Sequence, residues 1–172
     1  MLELTNINST FNLNNGVKIP CVGYGTFRTP ADVAEQAVKE AIETGYRHID
    51  TAAVYGNEEA VGKGIKDSGI KREDLFVTSK LWNTNRGYEQ TKKAFQETLD
   101  RLQMDYLDLY LIHWPANEKQ FGDDAAKINA ETWRAMEDLY NEGKIRAIGV
   151  SNFMPHHIAE LMKTAKVAPA VD

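Results

Sequence analysis

One cysteine, Cys21, is all that the 172 residues hold. A single thiol closes no intramolecular disulfide and builds no cysteine-based zinc site, and it points to a reducing compartment. Long apolar runs are missing as well, since no stretch approaches the roughly 18 residues of a membrane span. The opening Met1-Leu2-Glu3-Leu4-Thr5-Asn6 has neither a basic n-region nor an apolar h-region, so no secretory signal is expected there. Charge of one sign is in only small excess: 20 Lys+Arg against 25 Asp+Glu leave a net −5. With its lysines scattered, the chain offers nucleic acid no electrostatic footprint. Linker-like low-complexity segments and charge blocks are lacking, which argues against a domain boundary. What remains is an ordinary globular composition, 42% hydrophobic and 26% charged, long enough to bury one core. A cytoplasmic single domain over residues 1–172, with no membrane or nucleic-acid partner, is the expectation.

Short apolar runs alternate with amphipathic helices along the chain. Phe11 to Ile19 reads as a hairpin around Asn15-Gly16, a dipeptide that accepts positive φ at both turn positions. Val22–Thr26 is a short strand. Thr29-Pro30-Ala31-Asp32 then opens a helix, with Thr29 as cap and Asp32 at capping-box spacing. Its predicted inner face is Val33, Ala37, Val38, Ala41 and Ile42, and Gly45 is its stop. The alternation continues with strands at 48–50, 75–80, 107–112 and 145–150. The intervening helices are expected over 58–68, 88–102, 129–141 and 155–165. Pro169–Asp172 looks like the opening of another strand. These βα units of about 30 residues argue for a parallel sheet with covering helices. A doubly wound sheet and a (β/α)8 barrel both begin this way, and the barrel needs roughly 250 residues.

Several motifs carry little. Gly23-Tyr24-Gly25-Thr26-Phe27-Arg28 begins like a dinucleotide fingerprint, but Arg28 stands where the third glycine belongs. Gly62-Lys63-Gly64 lacks P-loop spacing. His156-His157 with Glu160 suggests a metal only superficially, because adjacent residues at a helix start point to different faces; a solvated surface is expected and no metal site.

The strand ends are more informative. Asp50 ends the second strand with Tyr55 in the following loop, Lys80 ends the third, His113 follows the fourth and Ser151-Asn152 the fifth. In parallel α/β folds ligands bind beyond those ends, where loops converge. A carboxylate, a phenol, an ammonium and an imidazole on one rim form a proton-transfer cluster.

The segments around these residues resemble the aldo-keto reductase family. They are His48-Ile49-Asp50-Thr51-Ala52-Ala53-Val54-Tyr55-Gly56-Asn57-Glu58, Thr78-Ser79-Lys80-Leu81-Trp82-Asn83, Leu107 to Pro115, and Gly149-Val150-Ser151-Asn152-Phe153. Their order and spacing hold from about residue 11 to the end, and they look most like small prokaryotic members that reduce aldehydes and diketones. The resemblance implies an α/β fold, a (β/α)8 barrel of which the first five to five-and-a-half units and an N-terminal hairpin are represented here. It implies NADPH as cofactor and a small aldehyde or ketone as substrate. The family's catalytic tetrad falls on Asp50, Tyr55, Lys80 and His113. Ser151 and Asn152 match the residues that hold the nicotinamide carboxamide, and Gly25, Thr26 and Asp50 match further cofactor contacts. Phe27, Trp82 and Trp114, with His113, match the substrate pocket; aromatic packing on the rim is the alternative for the three aromatics.

Reducing a carbonyl builds negative charge on its oxygen, which calls for a proton and hydrogen-bond donors. An ammonium beside Tyr55 stabilises the phenolate and makes the phenol a better acid. Asp50 then orients Lys80 and offsets its charge, while neutral His113 donates to the carbonyl oxygen. The family's Lys-Ser run and Arg for the 2′-phosphate, and its aromatic that stacks on the nicotinamide, have no counterpart in these residues. A shortened barrel also leaves sheet edges open. Impaired activity and self-association through those edges are therefore expected of this chain. The competing reading is a catalytically inactive relative serving as a binding or assembly module, against which the intact tetrad argues.

Overall fold

The computed structural model describes residues 5–172, so that the first four positions of the opening segment discussed above, Met1–Leu4, lie outside the described residues. The hairpin forms as expected, β1 (Thr10–Asn12) pairing antiparallel with β2 (Lys18–Pro20). Its turn differs in detail. Only Gly16 takes a positive φ, +85°, and Leu13 and Val17 pair around a three-residue loop. Asn15 instead uses its side chain, accepting from Val17 N and donating to Arg146 O at 2.9 Å.

Five strands follow in one sheet: β3 (Tyr24–Gly25), β4 (His48–Asp50), β5 (Phe76–Leu81), β6 (Leu107–Ile112) and β7 (Ile145–Val150). All neighbouring pairs are parallel and stand in sequence order. A doubly wound sheet reverses its order at a switch point. This one does not, and the monotonic order is that of the first part of a (β/α)8 barrel. The crossovers are α1 (Ala31–Thr44), α2 (Glu58–Asp67), α3 (Tyr88–Leu102) and, after a short α4 (Glu118–Phe121), α5 (Asp124–Asn141); α6 (Pro155–Leu161) follows β7.

Strand alternation divides the side chains into two packed layers. Val77, Tyr110, Ile112, Ile148 and Val150 join the helical residues Phe95, Trp133 and Met136 in the main core. Phe76, Leu109, Leu111 and Ala147 face the other way, where Leu13, Val17 and Ile19 of the hairpin cover them. That second face is the inside of the barrel. Asp50, Lys80, His113 and Ser151 belong to its alternation, further along the same strands.

Some local expectations are corrected. In α1 the inner face is Ala34, Val38, Ala41 and Ile42, whereas Val33 is 48% exposed. Thr29 makes no cap: the residue before the helix is Pro30, and no side chain bonds the first turn. Thr29 N donates instead to Thr26 O, holding the loop after β3. β3 is shorter than expected, α5 begins five residues earlier than 129, and α6 stops at Leu161. Gly62 and Gly64 have a packing role, since a Cβ would come within 2.4 Å of Leu102 O and of Glu35 O respectively, where α2 meets its neighbours. The opening of a sixth strand is seen in its hydrogen bonds, with Ala170 N donating to Ile148 O and Val150 N to Val171 O, each 2.9 Å.

Candidate active site

The register of the sheet puts the titratable groups together. Gly25 stands beside Asp50, Asp50 beside Thr78 and Lys80 beside Leu111, so Asp50 and Lys80 come from adjacent strands at the same end of the barrel. Lys80 is 7% exposed, and its Nζ is fully directed. It donates to Asp50 Oδ1 at 2.5 Å, to the Thr51 carbonyl at 2.9 Å and to Tyr55 Oη at 3.4 Å. Tyr55 reaches this point because a single 3-10 turn, Ala53–Tyr55, folds the chain back directly after β4.

His113 follows β6, anchored by its N–H to Leu81 O. Its ring stands edge-on to Tyr55, with centroids 5.9 Å apart, and edge-on to Trp82 at 5.3 Å. Burial, and then the Lys80 ammonium, hold the imidazole well below its ordinary value, at about 4, with Asp50 opposing. The ring is neutral at physiological pH. Its Nδ1 is buried without a partner, which leaves Nε2 as the nitrogen open to a ligand.

The neighbouring strand end supplies Ser151 and Asn152. Asn152 adopts φ +61°, and its Nδ2 donates to His113 O at 2.8 Å and to Ser151 Oγ at 3.1 Å. That leaves the Ser151 proton and Asn152 Oδ1 unspent, one donor and one acceptor. A primary carboxamide presents the complementary pair, so these two residues fit the amide end of a nicotinamide.

Thr26 does not behave as the resemblance implies. It is fully buried, with its hydroxyl donating to Thr51 Oγ1 at 2.9 Å. It has no exposed atom for a cofactor. Asn57 holds this loop by donating to Thr26 O and Thr29 O, a role that local sequence pattern did not reveal. Gly25 is exposed on the rim. Among the aromatics, Phe27 packs 5.1 Å from Tyr55 by ring centroids, Trp82 touches His113, and Trp114 stands 46% exposed.

His156 and His157 do not point apart. Their rings lie 3.9 Å apart by centroids, because His157 turns back to accept from Met154 N at the start of α6. They line a cavity of about 610 Å³ with Asn117 and Asn129, away from the tetrad. Among the described residues no group of three or more His, Cys, Asp or Glu is disposed to hold a metal, and no helix is long and apolar enough to cross a membrane.

The Aldo/keto reductase family profile matches residues 21–172. The chain belongs to the aldo-keto reductase family. It is 54% identical over 169 residues to the glyoxal reductase of Bacillus subtilis, covering 98% of this chain and 58% of that protein. It is 51% identical to a 9,11-endoperoxide prostaglandin H2 reductase of Trypanosoma cruzi, covering 93% of this chain and 54% of the relative. The chain thus spans little more than half the length of the curated reductases it matches. Among solved structures, an aldo-keto reductase of Brucella melitensis superposes with a TM-score of 0.89 at 48% identity, covering 96% of this chain and 62% of that one. An aldo-keto reductase of Bombyx mori in complex with NADP gives 0.87 at 41%, covering 98% and 59%. The partial barrel is accordingly of aldo-keto reductase type.

Proposed function

We propose that this aldo-keto reductase reduces small aldehydes, ketones and dicarbonyls with NADP(H), using Tyr55 as the general acid. The observation that carries the reading is the position of Lys80 Nζ, between the Asp50 carboxylate and the Tyr55 hydroxyl. A nicotinamide cofactor supplies the hydride. The protein's part is to receive the charge that develops on the carbonyl oxygen. Tyr55 gives its proton to that oxygen, and Lys80 stabilises the phenolate left behind. Asp50 and the Thr51 carbonyl fix the ammonium, so that no reorganisation is needed as the charge moves. His113, neutral at physiological pH, donates from Nε2 to the same oxygen and selects its orientation. Ser151 and Asn152 hold the carboxamide, and Phe27, Trp82 and Trp114 wall the substrate.

The Bombyx mori relative in complex with NADP supports the cofactor, and the Bacillus subtilis glyoxal reductase supports a small dicarbonyl as substrate. The test is NADPH oxidation by purified protein with glyoxal and with an aromatic aldehyde. Aldehyde-dependent oxidation is expected, slow in these 172 residues because they hold no counterpart of the 2′-phosphate and nicotinamide-stacking groups. Binding of NADPH without any aldehyde-dependent oxidation would overturn the assignment.

A further inference from the structure

Trp114 stands on the rim of the site with almost half its surface exposed, so packing alone does not hold it in place. Its loop has few backbone partners either. The carbonyls of Trp114, Pro115 and Ala116 each accept from a side chain. Arg86 Nη2 donates to Trp114 O at 3.1 Å and to Pro115 O at 2.9 Å, and Asn129 Nδ2 donates to Ala116 O at 3.0 Å.

We propose that Arg86 is a positioning residue that fixes Trp114, and with it the size selectivity of the carbonyl pocket. The inference rests on the reductase reading. Arg86 comes from the loop after β5, the loop that carries Trp82, and its Nη1 donates to Asn83 O at 3.2 Å. One guanidinium therefore ties together the two loops that each bear an aromatic wall residue. Its root is also held: Gly87 N donates to Thr132 Oγ1 at 2.8 Å, and Thr91 Oγ1 donates to Gly87 O at 2.6 Å. The far side of the guanidinium lies 5.5 Å from the Phe121 ring centroid.

The fit is specific to arginine. Its planar fork reaches consecutive carbonyls and a third one behind them, which a lysine point charge does not reproduce. The group is partly desolvated for this purpose: burial lowers its pKa from the ordinary value, and Nε is buried without a partner. A solvated surface arginine would carry neither cost. Arg86 touches no reacting atom and acts through the Trp114 backbone.

The test compares Arg86→Gln and Arg86→Lys with the unchanged protein by amide hydrogen exchange and by kinetics. Exchange at Ala116, whose N–H donates to Asn129 Oδ1 at 2.7 Å, is expected to quicken about tenfold or more in Arg86→Gln, as the loop loses hydrogen bonds to a charged donor. Arg86→Lys should fall between, with β6 and α3 unchanged in both. In turnover, KM for a bulky aromatic aldehyde should rise while kcat and the KM for glyoxal stay close to those of the unchanged protein. Exchange at Ala116 that is unchanged in both variants overturns the proposal. So does an equal loss of kcat for both substrates. If the unchanged protein oxidises no NADPH, the reductase reading fails by itself, and the exchange result still decides whether Arg86 holds the loop.

Discussion

The ammonium of Lys80 lies 2.5 Å from the Asp50 carboxylate and 3.4 Å from the Tyr55 hydroxyl, with neighbouring strands supplying the charged pair. The pair is only partly screened, since the Lys80 side chain is 9% exposed and that of Asp50 33%. This geometry makes the ammonium the electrostatic centre of the site.

Replacing Lys80 with methionine keeps the length of the side chain and removes the charge. Carbonyl reduction is expected to fall by about a hundredfold or more, the usual share of positioned acid–base chemistry. The stability loss should stay below the roughly 3–5 kcal/mol of a fully buried broken pair, because water reaches Asp50. Steady-state rates and urea melts measure the two effects. A rate within threefold of the unchanged protein would make Lys80 a structural cation only.

His113 should titrate near pH 4, not near the ordinary value of about 6.5. Its lowered value means that the unfolded chain binds a proton more readily than the folded one. The stability it contributes is complete above about pH 6.5 and is lost as pH falls towards its folded value. NMR of the His113 ring protons separates it from His48 and His157, which burial also lowers. A midpoint above about pH 7 would remove the neutral donor from the account.

Asn152 combines a left-handed backbone with the bond to His113 O. Asn152→Gly relieves the backbone and loses the bonds to His113 O and Ser151 Oγ, for about 1 kcal/mol each. Asn152→Ala adds a further cost of roughly 1–2 kcal/mol for a Cβ at positive φ. Chemical denaturation should therefore rank alanine below glycine. Equal stability of the two variants would show that the backbone conformation is not enforced.

Much of this was legible in the sequence. The bounds of α3, β6 and β7 agree residue for residue with the pattern, because Gly87 precedes α3 and the strands are mostly apolar, broken only by Asp108 and Arg146. Their places at the strand ends likewise sufficed to put Asp50, Lys80 and His113 on one rim. The failures are long-range. Thr26 is sealed by Asn57, 31 positions later, and Arg86 grips a carbonyl 28 positions away. Neither contact leaves a periodic trace. Val33 and Ala34 are both apolar and one helical step apart, so periodicity does not tell which faces inward, and in the fold it is Ala34 that is buried.

The most direct test of the account is Tyr55→Phe, which removes one hydroxyl and keeps the ring against Phe27 and His113. NADPH oxidation with glyoxal should fall by about a hundredfold or more, the share assigned to a positioned acid, while NADPH binding by fluorescence titration stays within about twofold, well under the tenfold of 1.4 kcal/mol. Retention of most of the rate in Tyr55→Phe would contradict the assignment of the acid.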